Sequence, residues 1–165
     1  MNVDYEKIER FFITHLDMIY CTKSHLIVHL PELLEKAHYP ELKTSILQTL
    51  DNVQTEMSKM EVIYALLDSA YTEANAKGVK GYIADTFATI AEQGQDKELR
   101  DLSILFYLQN VESLEMATFQ TLQMAAIKLK NRQVVTLLKE NYEEAKANRT
   151  SLLLVVSKYI TSGEE

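Results

Sequence analysis

Four stretches of this chain, each about thirty residues long, repeat an apolar residue every three to four positions. That period demands long amphipathic helices. The first runs from about residue 3 to 36, with Phe12, Leu16, Ile19, Leu26, Leu30 and Leu33 on one face. The second spans about 40–75, through Ile46, Leu50, Val53, Met57, Met60, Tyr64 and Leu67. The third, about 97–130, carries Ile104, Leu108, Val111, Thr118, Leu122 and Leu129. The fourth, about 134–160, carries Leu138, Leu152, Val156 and Tyr159. Only 4 glycines and 2 prolines punctuate the 165 residues, too few for the turns of a sheet protein. Each helix is then about 45 Å long at 1.5 Å per residue.

The connections decide how such helices pack. His38 and Tyr39 form a tight turn, with Pro40 at the first position of the second helix, and "KNRQ" (130–133) makes another. Helices one and two, and three and four, are therefore antiparallel hairpins. Between the hairpins "AKGVKG" (76–81) breaks the pattern, a short amphipathic helix occupies 82–92, and "QGQD" ends it. Short, long, short is the connection pattern of ferritin-like bundles. The fold expected is all-α: a ferritin-like four-helix bundle over a single domain, 1–165, with a short extra helix in the helix 2–3 crossover. An up-down-up-down bundle is the alternative. Pro31 predicts a kink near residues 27–31.

The bulk charge narrows the function. A net charge of −7 offers no basic face to nucleic acid. The one cysteine, Cys21, cannot form an internal disulfide, which makes the reducing cytoplasm the expected compartment. Its wheel position points away from the core, as a partly exposed thiol. "MNVDYEKIER" lacks the apolar run of a signal peptide, and "LLLVV" (152–156) is far too short to span a bilayer, so no membrane partner is expected.

The inward arcs are not wholly apolar. On a 100° wheel Lys23 lies on the stripe of helix 1 between Ile19 and Leu26. Glu115 is central on helix 3, with Glu112 at the edge, and Glu56 is marginal on helix 2. Asn148 and Arg149 flank the line through Leu138, Ala145 and Leu152 on helix 4. All sit near the midpoints of their helices, so one polar layer should cross the bundle. Buried charges cost several kcal/mol each unless paired. Either Lys23 snorkels to the edge with solvated glutamates, or it pairs inside with Glu115 or Glu112, with Arg149 as a further member. Di-metal bundles build their site at this level from carboxylates and Glu-x-x-His pairs. No Glu-x-x-His occurs at that level; the one in the chain, Glu35 to His38, falls at the end of helix 1 and its turn. His15, His25, His29 and His38 all lie in helix 1 or its turn and are read as boundary or surface residues.

Local patterns carry a family resemblance over roughly residues 16–160. "IYCTKSHLIVHLP", "TLDNVQTEMSKMEVIYALL", "GYIADTFATI", "VESLEMATFQTL" and "LLKENYEEAKANRTSL" occur in the order found in the bacterial YciE/YciF-like ferritin-like proteins, which the chain resembles. The resemblance implies a domain of unknown function linked to stress responses. It also implies departures at the metal positions. Lys23 stands where the first helix offers a carboxylate. Asn52 stands for a Glu of the second, with Glu56 in place of a nearby Gln. Glu112 and Glu115 are both kept. Ala145 stands for a Glu of the fourth, with Glu144 beside it, and the crossover acid aligns with Ala84 or Asp85.

A di-metal centre brings about four positive charges that several carboxylates must balance. An ammonium and two missing acids work against it. The expected protein is therefore non-catalytic and metal-free, with a degenerate site at Lys23, Asn52, Glu56, Glu112, Glu115, Glu144, Ala145, Asn148 and Arg149. It would have no cofactor, and a homodimer or another protein as partner. The alternative is an iron- or manganese-dependent oxidase or peroxide-detoxifying enzyme with an altered site of Glu56, Glu112, Glu115 and Glu144. Covalent chemistry at Lys23 is disfavoured, because neighbouring glutamates hold its charge.

Overall fold

A computed structural model describes residues 3–161, in which all regular secondary structure is helical. The helices are α1 (Tyr5–Lys36), α2 (Pro40–Leu66), α3 (Lys77–Glu92), α4 (Lys97–Lys128) and α5 (Arg132–Thr161). Residues 1–2 and 162–165 of the expected domain lie outside the described residues. No described helix is long and apolar enough to cross a membrane.

The helix starts follow from side-chain chemistry. Asp4 accepts from Lys7 N at 2.9 Å, Asp96 from Leu99 N at 3.0 Å and Asn131 from Val134 N at 3.1 Å, each satisfying an orphan amide. Pro40 opens α2, where its missing N–H costs nothing. Helix α1 runs unbroken past Pro31, which lies on the exposed face.

Two sequence expectations need correction. Helix α2 ends at Leu66, not near residue 75. Asp68 takes φ 49°, Ser69 N donates to Tyr64 O at 3.0 Å, and Asp68 N donates to Ala65 O at 3.2 Å. This paired closure ordinarily uses glycine, so a sequence without one hides it. Conversely, Gly78 and Gly81 lie inside α3, preceded by a 3₁₀ turn at Glu73–Ala76. Val79, Ile83 and Ile90 bury themselves against the bundle, and that burial outweighs the helix cost of two glycines.

Lys130 closes α4 in the same way at φ 58°, with Lys130 N on Ile127 O and Asn131 N on Ala126 O. A lysine is strained there and glycine is not. Lys130→Gly should therefore raise the unfolding free energy by about 0.5–1 kcal/mol in urea titration. A loss of stability would show that the turn is not held in this conformation.

The start of α4 is fixed to the α1–α2 turn. Asp101 accepts from His38 N at 3.0 Å and Tyr39 N at 2.6 Å, and Arg100 donates to Lys36 O at 2.7 Å. Helix α2 runs away from that end, so residues 67–96 must return along the whole bundle. The up-down-up-down alternative is thereby excluded. Helix α1 packs on α2 and α4, and α5 on α4 and α2, which leaves α2 and α4 parallel across the diagonal. Asp17 anchors the start of the return, accepting from Tyr64 OH at 2.6 Å and Asn75 Nδ2 at 2.7 Å. Helix α3 then lies over the second half of α1 and the first half of α4.

The core falls into two apolar blocks. One contains Leu26, Leu30, Ile46, Leu108, Val111 and Leu152; the other contains Phe12, Leu16, Met60, Ile63, Phe119 and Leu138. The polar layer lies between them.

Candidate functional site

Each helix delivers its polar residue from a stripe otherwise committed to the core, so packing the stripes forces the polar groups together. Lys23 of α1 is wholly buried, and Glu115, Glu56 and Glu112 are 1%, 3% and 4% exposed. The snorkelling alternative for Lys23 is excluded. Its Nζ donates to Glu56 and, at 2.7 Å, to Oε2 of Glu115. It also stands 5.8 Å from the centroid of Phe119. Two of the three ammonium donors thus meet carboxylates, and an aromatic face stabilises the charge further.

Helix α5 adds amides, not charges. Asn148 Nδ2 donates to Glu112, with Thr49 Oγ1 at 3.4 Å, and Asn141 Nδ2 reaches the backbone oxygen of Glu56 at 3.4 Å. Oε2 of Glu112 and Oε1 of Glu115 are buried without a hydrogen-bond partner.

Three carboxylates face one ammonium, and with all four groups ionised the layer would carry two excess negative charges. Burial opposes the charge on Lys23, but the fields of Glu115, Glu56 and Glu112 outweigh it and hold the pKa above the usual lysine value. Burial pushes Glu56 up to about 7, more than the Lys23 charge pulls it down. Burial, with the neighbouring Glu115, also raises Glu112 well above the carboxylate range. The layer therefore sheds its excess charge by keeping protons. A proton on Glu112 supplies a donor, and Oε1 of Glu115, one helical turn away, is an unfilled acceptor.

The other residues singled out from the sequence stand apart. Arg149 is half-buried and donates through Nε to Ser113 Oγ at 2.7 Å, so it is not a member of the ion-pair cluster. Asn148 and Arg149 are successive residues 100° apart, and α5 packs with Asn148 turned to the core and Arg149 towards its edge. Glu144 is paired at 2.5 Å with Lys59 near the surface. Asn52 is half-buried and accepts from Gln48 at 3.0 Å, while Ala145 is a fully buried apolar contact. Cys21 is buried, not partly exposed, because the segment after α2 covers that side of α1. Thr49 and Asn141 escaped notice. Each lies seven residues before a cluster member, Glu56 and Asn148, and that spacing would have found them.

The residues present do not fit a di-metal centre. The Lys23 ammonium holds the carboxylates of Glu56 and Glu115, and an amide nitrogen of Asn148 points at Glu112. No imidazole reaches the layer. His15 bonds Phe11 O at 2.8 Å, His25 and His29 stack on each other beside α3, and His38 lies in the α1–α2 turn.

This arrangement of helices has solved counterparts. The chain is 26% identical to YcfI of Rhodopseudomonas palustris, with a TM-score of 0.81 over 92% of this chain and 96% of that one. It is 23% identical to the E. coli stress protein YciF, with a TM-score of 0.84 over 96% of this chain and 98% of that one. A Xanthomonas campestris protein, 16% identical, covers 96% of this chain and 99% of its own length, with a TM-score of 0.63. No curated protein sequence gives a significant match. The profile of the family described as Domain of unknown function (DUF892) matches residues 7–163, and with that span and fold the chain belongs to this family.

Proposed function

We propose that this protein is a non-catalytic, metal-free helical bundle of the cytoplasm, with a stress-associated role, in which an ammonium supplies the positive charge that a di-metal centre would otherwise bring to the mid-bundle carboxylates. The observation that carries the reading is the position of Lys23 Nζ, bonded to Glu56 and Glu115 at once. A divalent cation would have to displace a buried, doubly paired ammonium and leave it without partners, at a cost of several kcal/mol. The chemistry of the layer points the same way. Its four ionisable side chains are closed off from water, and the clefts between α3 and α4 and between α1 and α4 are lined by other residues. The stress association is supported by the name of the YciF neighbour, whose fold this chain shares.

Elemental analysis of protein purified without chelator tests this directly. Iron and manganese should be far below one atom per chain, and added Fe²⁺ or Mn²⁺ should leave the melting midpoint unchanged. A ligand that binds only the folded state raises that midpoint. Stoichiometric metal, or a clear upward shift that Glu115→Gln removes, would overturn the reading in favour of the metal-dependent oxidase.

A further inference from the structure

Two imidazoles on the α3 side of α1 are not used by the packing of the bundle. His25, His29 and Glu32 follow one another at i, i+4 and i+7 and fall within about 60° on a 100° wheel. They stand on one face of the second half of α1, along a cleft of about 360 Å³ whose far wall is α3. Both histidines are half-buried. The ring of His29 packs on Phe87 of α3, with 4.9 Å between centroids. The ring of His25 lies 5.7 Å from that of His29, with the two planes 7° apart. Among the described residues no protein group hydrogen-bonds a ring nitrogen of either one, whereas His15 ties its Nδ1 to Phe11 O at 2.8 Å.

The geometry points to a site for one divalent late transition-metal ion, of the zinc or copper class, held by His25, His29 and Glu32 in the α1–α3 cleft. The first support is the spacing. Histidines at i and i+4 of a helix can offer nitrogens to one ion. Imidazoles that share a zinc at about 2.1 Å have centroids about 5–6 Å apart, depending on the angle between them. The observed 5.7 Å lies in that range. Turning each ring about χ2, a soft torsion for histidine, brings their nitrogen edges together.

The second support is the donor set. Two imidazoles, a carboxylate and a water complete the four positions of many zinc sites. The Glu32 carboxylate accepts from Lys36 Nζ at 2.5 Å, but both side chains are exposed, and such surface pairs contribute little. As the side chains lie, no three metal-ligating groups among the described residues enclose an ion. The site closes when Glu32 turns from Lys36 to the imidazoles. The third support is charge. Lys80 faces the cleft from α3, and its ammonium is already paired with Glu73. A net charge of −7 attracts cations to the chain as a whole.

Imidazole donors select Cu²⁺ and Zn²⁺ over Mn²⁺ and Fe²⁺. His25 lies about 200° round α1 from Lys23, so the cleft and the mid-bundle layer are on opposite sides of the helix. With three protein ligands and an opening to water, the site fills only when the free ion is abundant. The resting chain is then metal-free, in keeping with the function proposed above.

Calorimetric titration of the full chain with ZnCl₂ in chelator-free buffer is the test. Wild type should take up one Zn²⁺ per chain with a micromolar dissociation constant, and its melting midpoint should rise. His25→Gln and His29→Gln should each remove the saturable uptake and the rise in midpoint, with unchanged helical circular dichroism. His15→Gln, outside the cleft, should change neither. Cu²⁺ should bind more tightly than Zn²⁺, and Mn²⁺ should give no saturable uptake. Glu32 is exposed, so Glu32→Gln acts without disturbing the fold and should weaken zinc uptake. Unchanged affinity in that variant overturns the three-ligand site. No saturable uptake by wild type, or uptake that survives both histidine changes, overturns the inference. Uptake kept by His29→Gln and lost in Glu115→Gln places the ion in the mid-bundle layer and overturns the metal-free reading as well.

Discussion

Lys23→Met is expected to lower the unfolding free energy by about 3–5 kcal/mol at pH 8, the range for breaking a buried pair and stranding its partners. Methionine fills much of the lysine volume, so the loss is electrostatic and not a cavity effect. Glu56 and Glu115 lose the donor they share, and three buried carboxyls face one another with no positive charge. The defect should shrink at pH 5, because protonated carboxyls no longer repel. Urea titrations at both values decide the matter. A loss below about 1 kcal/mol at pH 8, or one that acid does not relieve, would show that the cluster is not electrostatically coupled. A companion variant removes the charges together. Lys23→Met with Glu56→Gln and Glu115→Gln should recover much of the stability, since an uncharged layer carries no ion desolvation penalty.

The wild-type protein should itself become less stable as pH rises through neutrality, and Glu56 is the reason. The unfolded carboxyl releases its proton near the ordinary 4.5, while the folded one keeps it until about 7. Between those values the folded state binds more protons than the unfolded state, so stability from this group falls with increasing pH. The contribution is fully present below about pH 4.5 and is lost as the pH passes 7. At 1.36 kcal/mol per pKa unit it amounts to about 3 kcal/mol. Glu112 acts in the same direction, its pKa raised by burial first and by Glu115 second. Glu56→Gln isolates the effect. Relative to that variant, wild type should lose about 3 kcal/mol between pH 4.5 and 8 in parallel urea titrations. Parallel stability curves would mean that Glu56 is ionised throughout, with its charge neutralised by Lys23 alone.

The two expectations together describe a layer that tolerates burial because its charge adjusts. Lys23 holds its proton, Glu56 and Glu112 are pushed by burial towards keeping theirs, and Asn148 and Asn141 supply hydrogen bonds without adding charge. This also explains why the layer is built from long side chains at the waist of the bundle. There the apolar blocks on either side exclude water, which strengthens each ion pair and penalises any group left unpaired.

Most of this protein's secondary structure is legible along the chain, because helix period, capping residues and Pro40 are local signals. The same signals placed Lys23, Glu115 and Glu112 on inward faces near one level. They fail where the determinant is not local. Asp68 ends α2 in a conformation usually read from glycine, and Gly78 and Gly81 sit within a helix that exists because Val79, Ile83 and Ile90 find the core. Asp17 and Asp101 gave no warning of their burial, since their partners come from the crossover and from a turn, which have no periodicity to read.

The sequence by itself determined that long helices would form, that the connections would run short, long, short, and that charged residues would lie on inward faces at mid-height. Helical period and residue polarity suffice for that. Which charge met which was decided by the tertiary structure alone. Asn148 and Arg149 differ by one 100° step, and a modest rotation of α5 would have exchanged amide for guanidinium in the core. The partners of Lys23 depend on how the two hairpins dock, because Glu56 and Glu115 are 33 and 92 residues away and no local pattern ranks them. Only the return of residues 67–96 along the bundle sets α4 antiparallel to α1 and brings those carboxylates to one ammonium.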